Sequence, residues 1–182
     1  MIRYALLAAC LLGLAGPLAA QSQFPADTAL DAEHAVQRDA FILLRDSTSS
    51  ISAASARLMS DIGPSASLPW LQARARGIAQ ACARSVAPLA STREVVTKAT
   101  WPKTFQQKAQ VDMLKAMTVF HPQLLQCEKQ WTAMAADTSR TRIRENAPYA
   151  MSVLESQVGD FSRAAQRYLQ YISVKLPLPK QN

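Results

Sequence analysis

The side chains with the most definite chemistry in this sequence are two cysteines, Cys82 and Cys127, which remain after an apolar leader segment. An even cysteine count in an oxidising compartment predicts a disulfide. Such a bridge would be structural, because the redox motif Cys-x-x-Cys is absent. Simple antiparallel packing separates the two cysteines if the second helix ends near residue 90 and the third starts near 104. Two buried free thiols are therefore the alternative.

A second candidate set consists of His34 and Met113, which fall near the same level of two diagonal helices. A His/Met pair inside a helical bundle is typical of a non-covalent haem site. The alternative is a partly buried histidine and a core methionine. The sequence carries no metalloprotease, nucleophile-elbow, phosphate-loop or haem-attachment motif. We therefore predict a non-catalytic protein with no cofactor, and haem belongs to the alternative interpretation.

Basic residues are unevenly distributed in a chain whose net charge is +7. Residues 64–111 hold seven bases against Glu94 alone, which gives +6. We treat these bases as a tentative binding face for an anionic envelope surface or an acidic envelope protein, with a solvated surface as the alternative. Nucleic acid is not expected, because the aromatic residues are not interleaved with the bases. The seven bases are Arg74, Arg76, Arg84, Arg93, Lys98, Lys103 and Lys108.

The amino-terminal segment predicts export. Residues 1–20 combine Arg3, an apolar run and small residues ending at Ala20, which is the anatomy of a cleaved signal peptide. A lipid attachment site at Cys10 is the alternative, but the apolar run continues past that residue. The run is too short to span a membrane, and no other segment is apolar enough. We expect a soluble periplasmic or secreted protein with no membrane span.

The elements that must position these residues are four long helices. Apolar residues recur at spacings of three and four, as on one face of a helix. We predict helices over about 27–62, from Ser67 to Pro88 or about 90, over 103–136 with a kink near Pro122, and most clearly over 147–175. The first stripe also contains the polar residues His34, Gln37 and Thr48.

These patterns favour an all-α fold, an antiparallel up-and-down four-helix bundle spanning residues 21–176 with an extended tail over 177–182. We expect it to act by binding an envelope protein or an anionic envelope component. The alternative is a bundle that holds a small ligand or cofactor between its helices, because buried polar residues in the first stripe need partners.

Overall fold

The protein is an antiparallel four-helix bundle, as the sequence predicts. A computed structural model describes residues 25–178, so that the signal peptide predicted over 1–20 lies outside the described residues. Each helix packs on the next, and the fourth returns to the first. Among the described residues, no helix is long and apolar enough to cross a membrane. The helices are α1 (Pro25–Asp61), α2 (Leu68–Lys98), α3 (Thr104–Ala136) and α4 (Arg140–Tyr171).

The predicted stripe of α1 is its buried face. Phe41, Leu44 and Leu58 are at most 2% exposed, and the polar Gln37 is completely buried among them. The helix begins at Pro25, two residues before the predicted start at 27. Proline suits a first helical turn because the N–H group that it lacks would have no partner there. The other end of α1 is Asp61, one residue before the predicted end at 62.

Helix α2 is longer than the sequence indicates, because it continues through Pro88 to Lys98. A proline inside a helix costs about 3 kcal/mol or more. Beyond it, Leu89 and Val96 are almost completely buried, and each such side chain contributes about 1.5–3 kcal/mol. The Thr92 hydroxyl also lies 3.2 Å from the Ala40 carbonyl of α1. Packing of the additional turns therefore outweighs the penalty of the proline.

The length of α2 explains how Cys82 and Cys127 meet in a disulfide, with their Cα atoms 6.1 Å apart. The Gln110 amide donates to the carbonyls of Val96 and Ala99 at 2.6 and 3.0 Å, which places Gln110 level with the end of α2. Cys82 lies about 24 Å from Lys98, and Cys127 about 26 Å from Gln110. The predicted disulfide is therefore confirmed. The geometric objection to it fails, because α2 does not end near residue 90 and α3 starts beyond the end of α2.

Helix α3 remains one helix across Pro122, where the sequence predicts a kink. Its predicted stripe is buried or partly buried from Ala109 onward, but Phe105 is 50% exposed. Phe105 lies in the part of α3 that projects past the end of α2, and its ring is 6.2 Å from that of Tyr171. Phe105, the first residue of the stripe, therefore has no part of α2 to pack against.

Helix α4 begins at Arg140, seven residues before the segment in which the sequence predicts it most clearly. The Ser139 hydroxyl caps it by accepting from the Arg142 backbone N–H. Arg142 also pairs with Asp137 at 2.7 Å and holds the pKa of that carboxyl below its usual value. Arg140 donates to the Pro64 carbonyl in the α1–α2 loop. Arg140 and Arg142 therefore connect the start of α4 to the two loops at this end of the bundle.

The carboxyl end of α4 turns at Ser173, so that the helix does not reach Lys175 as predicted. Ser173 has a left-handed φ of 62°. Its N–H donates to the Gln170 carbonyl, and the Val174 N–H donates to the Leu169 carbonyl. These two bonds make a Schellman motif, which closes the helix and redirects the chain. Residues 174–178 are non-helical and follow the side of the bundle; the rest of the predicted tail lies outside the described residues.

Candidate functional site

A buried polar network lies near the carboxyl end of α2. The Trp101 indole N–H donates to the Tyr168 hydroxyl at 3.3 Å, and this hydroxyl donates to Gln37 Oε1 at 3.1 Å. The Gln37 amide then donates to the Glu33 carboxylate and to the Val95 carbonyl. Burial raises the pKa of the Tyr168 hydroxyl, which stays protonated as a donor. The network is satisfied from end to end, and it joins α1, α2, α4 and the α2–α3 loop.

The structure gives His34 and Met113 different surroundings. The His34 ring stacks on Trp101, with ring centroids 5.7 Å apart, and its Nε2 is buried without a hydrogen-bond partner. Met113 is 1% exposed and borders a small pocket of about 320 Å³ between α3 and α4. A larger groove lies between α1, α4 and the tail, and neither it nor this pocket is lined by both His34 and Met113. Among residues 25–178, no group of three or more histidine, cysteine or acidic side chains could hold a metal ion.

The seven predicted basic residues are spread over a long surface. Five lie on α2, where Arg74 and Lys98 are about 36 Å apart along the axis. Arg74 covers the Trp70 ring at 4.9 Å, and Lys98 pairs with Glu94 at 2.5 Å. Within the described part of the chain, the other five have no carboxylate within 4.0 Å; they are Arg76, Arg84, Arg93, Lys103 and Lys108. The structure does not gather the seven residues into one compact site.

An apolar groove lies between α1, α4 and the tail, and we call it the α1/α4 groove. Neighbouring helices approach least closely along this side of the bundle. The opening has a volume of about 630 Å³, within the range of small-molecule sites. Phe41 and Leu44 of α1 face Phe161 and Leu169 of α4, and Leu176 of the tail completes the wall.

Two cations border the α1/α4 groove, and among the described residues no carboxylate lines it. Arg45 donates to the Pro177 carbonyl, which holds the tail against α1. Its guanidinium also pairs with Asp46 at 2.8 Å. Lys175, the second cation, is exposed. The remaining polar lining groups are hydroxyls and amides, namely Thr48, Ser162, Gln166, Gln170 and Ser173.

Residue spacing predicts that Gln37 and Thr48 lie on the buried face of α1, where both are found. Spacing does not predict the α1/α4 groove, because its carboxyl-terminal wall falls in the segment predicted as the end of helix α4 and an extended tail. The alternation of leucine and proline over residues 176–179 is the available signal, because it predicts an extended chain with apolar side chains to cover.

No family model, curated protein or solved structure matches this chain. The functional conclusion therefore depends on the chemistry of the α1/α4 groove and of the surface.

Proposed function

We propose that this is an exported, non-catalytic binding protein that holds a small apolar ligand in the α1/α4 groove. The observation that carries the proposal is an opening of about 630 Å³ lined mainly by apolar side chains. Export is supported by the leader sequence and by the Cys82–Cys127 disulfide, which fits an oxidising compartment.

The composition of the groove favours binding over catalysis. Its described lining contains no histidine, cysteine or carboxylate that could serve as a general base. Apolar burial supplies the affinity: a ligand that removes about 300 Å² of apolar surface from water gains about 7 kcal/mol before the losses of association. Hydroxyl and amide groups at the rim would orient the ligand without dominating its affinity.

Filling the groove tests this proposal. Ala165 lines the groove from α4, so that Ala165→Trp should weaken binding of the neutral dye N-phenyl-1-naphthylamine at least tenfold, as measured by its fluorescence. Ala133→Trp, at an exposed position of α3, is the matched control and should bind the dye like the wild type. Equal binding by all three cooperatively folded proteins would refute the proposal.

We also propose a second role, attraction to an anionic envelope component by the exposed face of α2. The observation that favours it is the set of bases without a carboxylate partner among the described residues, including Arg76, Arg84 and Arg93. Charges spread over about 36 Å supply long-range attraction better than a shaped site does.

Charge reversal tests this second role. The variant Arg76→Glu/Arg93→Glu should lose most of its cosedimentation with phosphatidylglycerol vesicles at low salt. The control Arg57→Glu/Lys129→Glu makes the same change of net charge at exposed positions of α1 and α3. Equal losses in both variants would show that net charge alone is responsible and would exclude a specific role for α2.

A further inference from the structure

The charge of the α1/α4 groove narrows its ligand class. The ionisable groups on its described lining are Arg45 and Lys175, both cationic, and a carboxylate is missing from that lining. Since the rest of the lining is mostly apolar, the groove combines an apolar wall with positive charge at its edge. We propose that its occupant is a single-chain amphiphile with one anionic carboxylate head, and this inference rests on the proposed groove-binding function.

Arg45 is suited to the head group. Its side chain is 23% exposed, whereas its partner Asp46 is 58% exposed and lies outside the groove lining. An exposed ion pair of this kind contributes little free energy. The pair with Asp46 therefore does not prevent the Arg45 guanidinium from binding another anion. The guanidinium has five N–H donors in a planar fork that matches a carboxylate. Asp46 Oδ1 lies within hydrogen-bond distance of Nε and of one terminal nitrogen, and the other terminal nitrogen donates to the Pro177 carbonyl. One N–H on each terminal nitrogen therefore remains to donate to an incoming anion.

The apolar wall is suited to a narrow chain. From Phe161 to Leu169 the groove follows α4 for about 12 Å, and Phe41 and Leu44 line the α1 side. Leu176 of the tail is partly buried against the core and faces the same space. The two helices and the tail therefore bound a groove that follows α4 for about 12 Å, and this length accommodates an extended alkyl chain.

Three ligands with the same twelve-carbon chain test the head group in the exported protein: dodecanoate, dodecanol and dodecylammonium. Each is titrated against bound N-phenyl-1-naphthylamine at pH 8. We expect dodecanoate to displace the dye at a concentration at least tenfold below that of dodecanol, with dodecylammonium the weakest. Arg45→Gln and Lys175→Gln should each reduce the preference for dodecanoate over dodecanol by threefold or more.

The controls separate this inference from the groove-binding proposal. Arg38→Gln removes an exposed cation of α1 outside the groove and should keep the full preference. In Lys175→Gln and Arg38→Gln dodecanol should bind within twofold of its wild-type affinity, because neither side chain holds the tail in place. Arg45→Gln also removes the donor to the Pro177 carbonyl, so that this variant is judged by the ratio of dodecanoate to dodecanol affinity alone. Equal displacement by dodecanoate and dodecanol would overturn the inference while the groove-binding proposal stands. Failure of the dye and of all three amphiphiles to bind would overturn both.

Discussion

Loss of the Cys82–Cys127 disulfide is expected to lower the free energy of unfolding by about 4 kcal/mol. The bridge joins residues 45 positions apart, and the chain-entropy account assigns about this amount to a loop of that size in the unfolded chain. A loss this large is comparable to much of the stability of an ordinary domain. Urea unfolding followed by circular dichroism, with and without dithiothreitol, measures it.

The variant Cys82→Ala/Cys127→Ala separates loss of the bridge from other effects of the reductant. Both cysteines are buried, so that alanine keeps an apolar side chain at each position. The oxidised wild type should be more stable than this variant, and dithiothreitol should not change the variant further. An identical urea midpoint for the wild type in both conditions would contradict the prediction.

Replacement of Gln37 by leucine is expected to destabilise the protein by about 3 kcal/mol. Leucine has a similar size, but it removes the acceptor of the Tyr168 hydroxyl and the donor to the Val95 carbonyl. Leaving a buried polar group without a partner costs about 1–3 kcal/mol. Thr48→Val is the matched control, because the Thr48 hydroxyl bonds only to carbonyls of its own helix and its loss should cost less than about 1 kcal/mol.

A double-mutant cycle tests whether the network acts as a unit. Tyr168→Phe leaves the Trp101 indole without its acceptor and Gln37 without its donor. The double variant Gln37→Leu/Tyr168→Phe should therefore lose less stability than the sum of the single variants, by about 1 kcal/mol or more. Strict additivity would show that Gln37 and Tyr168 contribute independently.

The helices could be predicted from residue spacing, because a bundle requires one apolar face on each. The end of α2 could not, because it depends on a competition between Pro88 and the distant side chains that Leu89 and Val96 contact. Because the end of α2 could not be predicted, the distance between the two cysteines could not be predicted either. Their pairing follows from Gln110, whose contact with Val96 and Ala99 sets the offset between α2 and α3. A polar contact of that kind leaves no periodic signal in a sequence.

The groove was still harder to predict, for a related reason. Phe41 and Phe161 belong to apolar stripes, and a stripe predicts burial without showing where two helices diverge. The fourth stripe also continues through Ile172, so that periodicity alone extends α4 toward Lys175. The left-handed turn at Ser173 ends the helix earlier, and the chain that follows becomes a wall of the groove.

The position of the disulfide has a consequence for motion in the bundle. The bridge joins α2 to α3, whereas the groove opens between α1 and α4, on the opposite side. The disulfide therefore fixes the spacing of α2 and α3 covalently. It places no covalent restraint on the spacing of α1 and α4, so that a separation of these two helices would leave the distance between the two sulfur atoms unchanged.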